Sequence, residues 1–217
     1  MGELNIPNQQ KVWDELAGPW KDYRVNSIDV VEDFLKDKKG KVLDLGCGSG
    51  RNFLQQDDLK WFGVDFSKEM LKHAKDYAKN LGIDIELKQS EAFEIPYGDA
   101  FFDIVNCVAV LHCISPEENR EKTLREIYRV LKTNGRALIT VWDKNQKKFE
   151  NSAKEKIIPW EKDGEVYDRY YYFYEKEEFR KLLESVGFKV VEIYDKENLK
   201  GLYSERNLIA IVEKLAD

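Results

Sequence analysis

The chain has 217 residues, of which 41 are Asp or Glu and 35 are Lys or Arg, giving a formal net charge of −6 at pH 7. This length suits one α/β domain with an ample core. The acidic balance does not indicate a protein that binds nucleic acid through its bulk charge. No apolar run approaches the roughly 18 residues that a membrane-spanning helix needs, so we expect no membrane association.

Cysteine usage and the first residues of the chain favour a reducing compartment. Cys47, Cys107 and Cys113 are odd in number, scattered, and form no C-x-x-C pair. We therefore expect reduced thiols and no bound metal. The opening segment MGELNIPNQQ has no basic stretch followed by an apolar one, so we expect no secretory signal and a cytoplasmic location.

Hydrophobic periodicity predicts two N-terminal helices over 9–17 and 26–37, followed by an alternation of strands and helices. The predicted strands cover 41–45, 60–64, 84–88, 102–108, 135–142, 188–194 and 207–213. One further helix is predicted to begin at 50, and three others are predicted over 67–81, 117–131 and 175–186. Residues 144–168 are polar, rich in lysine and break this pattern. The alternation predicts an α/β fold with a doubly wound, mostly parallel sheet, which binds ligands at the C-terminal ends of its strands.

The segment KVLDLGCGSGRN at 41–52 is the most informative part of the chain. Its short apolar run stops abruptly at Gly46, Gly48 and Gly50, which predicts a buried strand that turns sharply into a helix. Glycine adopts backbone angles that are closed to other residues, and it leaves room for a ligand to contact the main chain. The N-terminus of a following helix would add unpaired N–H groups and a positive dipole end. The loop is therefore predicted to bind a nucleotide-like ligand with an anionic end.

The spacing of the glycines and two acidic residues narrow the ligand class. The pattern is G-x-G-x-G, and Arg51 stands where the dinucleotide fingerprint G-x-G-x-x-G has its third glycine, which argues against a nicotinamide dehydrogenase. Asp44 lies two positions before the first glycine, and Asp65 ends the next predicted strand in WFGVDFS. A carboxylate at Asp65 can accept hydrogen bonds from both hydroxyls of a ribose. Alternatively, Asp65 is only a helix N-terminal charge, with Ser67 as the cap.

At this point the chain resembles the class I S-adenosylmethionine-dependent methyltransferases. The segments that carry the resemblance are DLGCGSG, GVDFS, QSEAFEIPYGDAFFDIV, FFDIVNCVAVLH and LREIYRVLKTNGRALITVW, in that order. The resemblance implies a Rossmann-like seven-stranded fold, S-adenosyl-L-methionine as the cofactor, and adenine recognition by Glu91 and the backbone of Ala92. The implied cofactor-binding residues are Asp44, Gly46, Cys47, Gly48, Gly50, Arg51, Asp65, Phe66, Glu91, Ala92 and Val108. Arg51 is either a contact of the methionine carboxylate or an exposed residue.

Within this class the chain is similar to the tRNA wobble-uridine carboxymethyl methyltransferases: the fungal enzyme, the methyltransferase domain of animal AlkB-homologue 8, and archaeal relatives. VWDELAGPWKDYR, the stretch from IVNCVAVLHCIS to YRVL, ALITVWDKNQKKF and DRYYYFYEKEEFRKLL carry this similarity, which spans about 11–195. It implies tRNA as the partner and methylation of the carboxylate of 5-carboxymethyluridine. Eukaryotic members work with a small zinc-binding activator that pairs with a sheet edge, for which the strand at 84–88 is the candidate here.

The resemblance places His112 and Arg24 as candidate catalytic residues. An acceptor carboxylate is ionised at pH 7 and needs orientation rather than a general base. His112 is expected at the pocket mouth, where its imidazole would donate a hydrogen bond to the acceptor; alternatively, backbone groups satisfy it at a strand end. Arg24 would clamp the carboxylate of methionine or of the substrate, or else form a surface ion pair. Cys113 stands where relatives often have a second histidine.

Aromatic and basic clusters have two interpretations each. Trp13, Trp20 and Tyr23 belong to an N-terminal segment that either folds over the cofactor or packs in the core, and packing is favoured for Trp13. The run Tyr170–Tyr174 either lines an acceptor cleft and stacks on a base or forms a buried strand edge. A lysine-rich tract either follows a phosphate backbone or is simply solvated, and it comprises Lys144, Lys147, Lys148, Lys154 and Lys156.

These observations predict one methyltransferase domain over 1–217, with an N-terminal helical lid over about 1–38 and a substrate-side insert over about 144–174. Two other functions stay open. One is a methyltransferase acting on a carboxylate or hydroxyl of a small molecule, which the acidic net charge favours. The other is a binding module that senses the cofactor without transferring its methyl group.

Overall fold

The computed structural model describes residues 4–23, 25–149, 151–195, 197, 203 and 205–216. Its helices are α1 (Gln9–Tyr23), α2 (Asp29–Leu35), α3 (Lys68–Asn80), α4 (Glu117–Val130) and α5 (Lys176–Val186), with one 3-10 turn at Leu111–Cys113. Its strands are β1 (Gly40–Leu45), β2 (Leu59–Asp65), β3 (Ile85–Gln89), β4 (Phe102–Val108), β5 (Leu131–Trp142), β6 (Glu155–Lys162), β7 (Glu165–Tyr172), β8 (Phe188–Tyr194) and β9 (Asn207–Lys214). Most of the predicted elements are present, with ends shifted by a few residues.

The main sheet has seven strands in the order β3-β2-β1-β4-β5-β9-β8. The first five are mutually parallel, and β9 runs antiparallel to both β5 and β8. The chain builds outward from β1 through β2 to β3 and then crosses to β4 on the other side of β1. This reversal creates a crevice at the C-terminal ends of β1 and β4, where open α/β sheets bind their ligands. The predicted fold class is confirmed, and β3 lies at one edge of the sheet, as expected.

Alternating side chains of the central strands pack on opposite faces of the sheet. Leu43 and Phe62 belong to the cluster that also contains residues of α4 and α5. Val42 and Trp61 belong to the cluster on the face of α2 and α3. Because each face is covered by helices, the strands are buried on both sides, which explains their nearly continuous apolar sequences.

The prediction of a helix that begins at residue 50 is wrong. All residues between β1 and β2 are described, and they form turns in which the Gly50 N–H donates to the Cys47 carbonyl at 2.9 Å and the Phe53 N–H to the Gly50 carbonyl at 3.0 Å. Phe53 is buried against Trp61, with ring centroids 5.4 Å apart. The segment RNFLQQDD has no helical apolar period, and packing of its one aromatic ring decides its path. The glycine loop therefore lacks the helix dipole that we expected beneath it.

Residues 144–168, which showed no period, contain most of a two-stranded antiparallel sheet formed by β6 and β7. Asp163 and Gly164 make its turn with φ of 54° and 84°. An Asp-Gly pair is a strong signal for a two-residue hairpin, because both turn residues need positive φ. In the described part of the chain, no helix has the length and apolar character required to cross a membrane.

Candidate active site

A cavity of about 510 Å³ opens at the C-terminal ends of β1, β2 and β4, and α1 forms one of its walls. The cofactor residues expected from the sequence that line it are Gly46, Cys47, Gly48, Arg51, Asp65, Phe66, Glu91, Ala92 and Val108. Asp44 and Gly50 are not on its wall. Residues that sequence reasoning did not assign to the cofactor also line it, among them Asn8, Gln9, Gln10, Asn52, Met70, Ser90 and Asn119.

Asp65 is fixed at the end of β2 by two backbone donors. Its Oδ2 accepts from the Gly48 N–H at 2.8 Å and its Oδ1 from the Ser67 N–H at 2.9 Å. Burial raises the pKa of Asp65 to about 6, although both backbone bonds oppose that rise. The cap of α3 is Ser67, whose Oγ accepts from the Met70 N–H. Since each carboxylate oxygen can accept a further bond, Asp65 is free to receive both hydroxyls of a ribose.

Two positions of the loop require glycine for different reasons. Gly46 has a φ of 67°, and an added Cβ would lie 2.3 Å from Cγ2 of Val110. Gly48 has a φ of 54°, and an added Cβ would meet only Sδ of Met70, at 4.0 Å. Gly46 therefore allows close packing beneath the loop, whereas Gly48 leaves space open on the cavity wall for a ligand.

Asp44 is a buried carboxylate beneath the loop. It is 1% exposed, and no donor in the described part of the chain reaches its Oδ2. Burial raises the pKa of Asp44 to about 7, while the positive charge of Arg51 opposes that rise and Asp65 adds to it. A buried carboxylate oxygen without a donor is costly, which agrees with the raised pKa of this group.

The far side of the cavity follows β3. Ser90, Glu91, Ala92 and Phe93 line it. Glu91 is half-buried, and burial raises the pKa of its carboxyl, with a smaller contribution from the nearby charge of Glu94. A half-buried acceptor beside an aromatic ring suits the polar edge and flat face of a purine.

Helix α1 is tied to the strand–helix turn that carries Asp65. Gln10 Nε2 donates to the Phe66 carbonyl at 2.9 Å. Asp14 Oδ1 accepts from Ser67 Oγ at 2.6 Å and from the Glu69 N–H at 3.3 Å. Trp13 packs against Trp20 with ring centroids 5.3 Å apart, as the preferred interpretation expected, and both rings also line the cavity. The signal that we missed is the amide-rich run NQQ at the start of an amphipathic helix.

His112 does not lie at the pocket mouth, and its expected position is corrected. It is 1% exposed in the 3-10 turn after β4, and its Nδ1 accepts from the Trp142 N–H at 3.2 Å. Its ring stacks on Tyr171 with centroids 5.3 Å apart. Burial, helped by the charge of Arg169, lowers the pKa of His112 to about 3, so the imidazole is neutral. Its neighbour Cys113 lines the cavity instead. Arg24 lies outside the described residues.

The aromatic run does not line the cavity. Tyr170, Tyr171, Phe173 and Tyr174 are each at most 3% exposed, which corresponds to the alternative of a buried strand. The lysine tract is partly used within the fold, because Lys154 pairs with Glu178 at 2.8 Å and Lys144 Nζ donates to the Phe149 carbonyl. These contacts leave less of the tract for a phosphate backbone than the sequence suggested.

The cavity fits S-adenosylmethionine. Asp65 offers carboxylate acceptors of the kind that ribose hydroxyls bind, Gly48 leaves space beside the backbone, and Glu91 provides an acceptor on the far side. Asp44 lies beneath the glycine loop and off the cavity wall, so in this structure it can act on a bound ligand through its charge but not through a direct contact.

Comparisons with known proteins point to the same class. Residues 36–187 match the family described as a methyltransferase domain. A chain of Encephalitozoon cuniculi named as a methyltransferase is 33% identical over 80% of this chain and 78% of its own length. The tRNA (carboxymethyluridine(34)-5-O)-methyltransferase of Schizosaccharomyces pombe is 29% identical over 90% of this chain and 96% of its own length.

Solved structures share the fold. A Burkholderia thailandensis N1-methyltransferase solved with S-adenosylhomocysteine has a TM-score of 0.72 and 18% identity, and the match covers 100% of this chain and 93% of that one. A Haloferax volcanii methyltransferase solved with the activator Trm112 has a TM-score of 0.66 and 16% identity, covering 98% of this chain and 100% of that one. The matched family, the site and the shared fold agree: this chain belongs to the methyltransferase domain family and is an S-adenosylmethionine-dependent methyltransferase.

Proposed function

We propose that this methyltransferase esterifies the carboxylate of 5-carboxymethyluridine at the wobble position of tRNA. The observation that carries the proposal is the similarity to the Schizosaccharomyces pombe enzyme of that name, which extends over 90% of this chain and 96% of the relative. A similarity of this extent covers far more of the chain than the cofactor motifs alone.

The chemistry of the cavity wall supports an acceptor that arrives already ionised. Bound S-adenosylmethionine supplies an electrophilic methyl group. The two cysteines of the wall are not suited to deprotonate an acceptor near pH 7, because burial raises the pKa of Cys113 to about 12 and that of Cys47 well above its ordinary value. The lining carboxyls with raised pKa values, Asp65 and Glu91, lie on the side proposed for the cofactor. A carboxylate has an ordinary pKa near 4 and needs no base.

The remaining task of the protein is to position the acceptor and exclude water. Trp13 and Trp20 of α1 border the cavity, and Gln10 and Asp14 hold α1 against the turn after β2. We propose that α1 acts as the lid over the cofactor and that the β6–β7 hairpin forms the acceptor side. Removing water from an anionic nucleophile and aligning it with the methyl group are the two contributions that such a site makes.

The direct test is methyl transfer to tRNA that carries 5-carboxymethyluridine, with the same tRNA carrying unmodified uridine as the control. We expect a base-labile methyl ester only on the modified tRNA. The assay is run with and without a Trm112-type activator, so that a need for the partner is not mistaken for inactivity. No ester in either condition would contradict the proposed reaction.

We also propose that the activator binds the edge strand β3. The fold is shared with the Haloferax volcanii methyltransferase solved with Trm112. The edge here carries the ion pair Lys88–Glu86 at 3.0 Å, and Lys88 lies over the Tyr97 ring at 3.9 Å. Charged groups keep an open edge from unspecific pairing and leave its backbone available to a specific strand. Slower amide exchange confined to 85–89 after adding the activator is expected, and unchanged exchange there would refute the site.

A small carboxylic acid is the second candidate acceptor. The net charge of −6 favours it, because close approach of a polyanion is opposed. A metabolite screen with labelled cofactor, run free of RNA, separates the two functions. Efficient ester formation on a small acid and none on modified tRNA would select this candidate.

A further inference from the structure

Arg169 on β7 is a buried cation with incomplete pairing. It is 6% exposed, and its Nη1 donates to Tyr171 Oη at 2.8 Å. Its Nε has no hydrogen-bond partner. Within the described residues, no carboxylate forms an ion pair with this guanidinium. A buried charge without a counter-ion is unfavourable, so an anion bound beside Arg169 would stabilise the folded chain.

The second buried arginine shows how the same fold satisfies such a group when its role is structural. Arg120 is 3% exposed, and its Nη1 donates to the Ile114 carbonyl and to Tyr170 Oη, both at 3.0 Å. Its Nη2 also lies 3.8 Å from Glu155 Oε1. Arg120 thus has a carbonyl, a hydroxyl and a carboxylate, whereas Arg169 has one neutral hydroxyl. Arg120 therefore has the partners of a structural arginine, whereas the guanidinium of Arg169 still has N–H groups with which it could bind an anion.

Arg169 lies directly behind one wall of the cavity, formed by Gln9, Trp20 and Cys113 and here named the acceptor wall. Its guanidinium carbon is 5.4 Å from the centroid of Trp20. Gln9 bonds the backbone on either side of Arg169, donating to the Asp168 carbonyl at 3.3 Å and accepting from the Tyr170 N–H at 2.9 Å. Burial raises the pKa of the Cys113 thiol, and the charge of Arg169 opposes that rise.

The acceptor wall belongs to different elements from those that hold the cofactor. Gly48 follows β1, Asp65 ends β2 and Glu91 follows β3, whereas the acceptor wall comes from α1 and the turn after β4, with β7 behind it. Arg51, on the cofactor side, is the lining cation nearest in sequence to the glycine loop. A second cation, Arg169, therefore lies behind a separate wall of the cavity, beside Trp20 and Gln9.

We propose that Arg169 binds the carboxylate of the methyl acceptor and selects acidic acceptors over neutral ones. The inference rests on the proposed function, because it takes the acceptor to be a carboxylate. A guanidinium presents several N–H donors in a plane that matches a carboxylate, and the bond is stronger where water is excluded. The methyl ester product is neutral and loses this attraction, so the same residue favours product release.

The test compares the binding of two nucleosides, 5-carboxymethyluridine and its methyl ester, to the chain saturated with S-adenosylhomocysteine. In the native chain we expect the acid to bind about tenfold to hundredfold more tightly, as for a hydrogen bond to a charged group in a desolvated site. Arg169→Gln should abolish this preference. Arg136→Gln is the matched control, since it removes the same charge from a site that pairs with Glu213 on β9. S-adenosylhomocysteine should bind all three proteins with similar affinity.

Three results would overturn the inference. The first is equal affinity of the native chain for the acid and the ester. This result needs no substitution, so it does not depend on whether Arg169→Gln folds. The second is an unchanged preference for the acid in Arg169→Gln. Loss of S-adenosylhomocysteine binding in a folded Arg169→Gln protein would assign the anion to the cofactor instead.

The outcomes also distinguish this inference from the proposed function. If modified tRNA is not methylated but the acid preference depends on Arg169, the tRNA reaction fails and the carboxylate subsite stands. If modified tRNA is methylated and Arg169→Gln retains the native KM and kcat, the reaction stands and the subsite fails.

Discussion

Replacing Asp44 by Asn is expected to stabilise the ligand-free protein while weakening its cofactor binding. Asp44 is 1% exposed, and its Oδ2 has no donor in the described part of the chain. Burial raises its pKa from 3.8 to about 7, so the folded state retains a proton that the unfolded chain has already released. Between these pH values the folded state binds more protons, and the stability of the native protein therefore falls as the pH rises.

The size of the effect follows from the two pKa values. The interval from 3.8 to about 7 corresponds to about 4 kcal/mol of unfavourable free energy once the carboxylate is fully ionised. The substituted amide is also buried and would lack partners, which costs about 1–3 kcal/mol. A net gain of about 2 kcal/mol remains above pH 7, or about 4–8 °C in Tm for a chain of this size. Near pH 4 the native carboxyl is largely protonated, so the unfavourable term of about 4 kcal/mol is absent and the variant is expected to be no more stable than the native protein.

The assay is thermal unfolding of both proteins from pH 4 to pH 8, with and without S-adenosylhomocysteine. The Tm difference should grow from pH 4 to about pH 7 and then level off. Asp65, whose pKa burial raises to about 6, titrates in both proteins, so most of its contribution cancels in the difference. The ligand should stabilise the native protein more than Asp44→Asn. A variant that is less stable than the native protein at pH 8, or a difference that does not depend on pH, would refute the reasoning.

Three further substitutions test other parts of the site. Gly46→Ala should lower the free energy of unfolding in urea by about 2–5 kcal/mol, since the residue has a φ of 67° and the new Cβ would lie 2.3 Å from Val110. Gly98→Ala is the control, because a Cβ added there would meet no atom within 4 Å. Asp14→Ala should speed amide exchange in α1 and weaken S-adenosylhomocysteine binding, because Ser67 and Glu69 lose their acceptor, whereas exposed Glu15→Ala should change neither. His112→Ala should lower stability by about 3 kcal/mol, through lost stacking and an unpaired Trp142 N–H. A large fall in kcat at unchanged stability would instead give His112 a catalytic role.

Periodic apolar sequence was sufficient to predict the sheet. Strands such as 102–108 and helices such as 117–131 were predicted to within a residue, because burial on both faces or on one helical face leaves a regular pattern. The positions of Gly46, Asp65 and Glu91 followed from the same logic, since residues at the C-terminal ends of parallel strands meet at one edge of the sheet. These predictions needed only local patterns and one rule of topology.

Positions set by long-range packing were not predictable in this way. Phe53 packs on Trp61 and prevents the expected helix after the glycine loop. His112 is drawn inward because Tyr171 stacks on it and the Trp142 N–H needs an acceptor. Both partners of His112 are at least 30 positions away in the chain, and neither strand was expected to pack against this turn. The local sequence around His112 therefore could not predict whether its imidazole is buried or faces the cavity.

The unpaired charges explain why the sequence reveals the cofactor more readily than the acceptor. Asp44 is followed within seven residues by three glycines and by Arg51, so its unusual setting is visible in a short motif. Arg169 stands in an aromatic run, and only the fold shows that Tyr171 is its single hydrogen-bond partner among the described residues and that Trp20, far away in the chain, lies beside it. A methyltransferase needs the same cofactor for every substrate, which keeps cofactor recognition local in sequence. The acceptor varies between methyltransferases, and the residues that we propose select it here come from α1, the turn after β4 and β7, which only folding brings together.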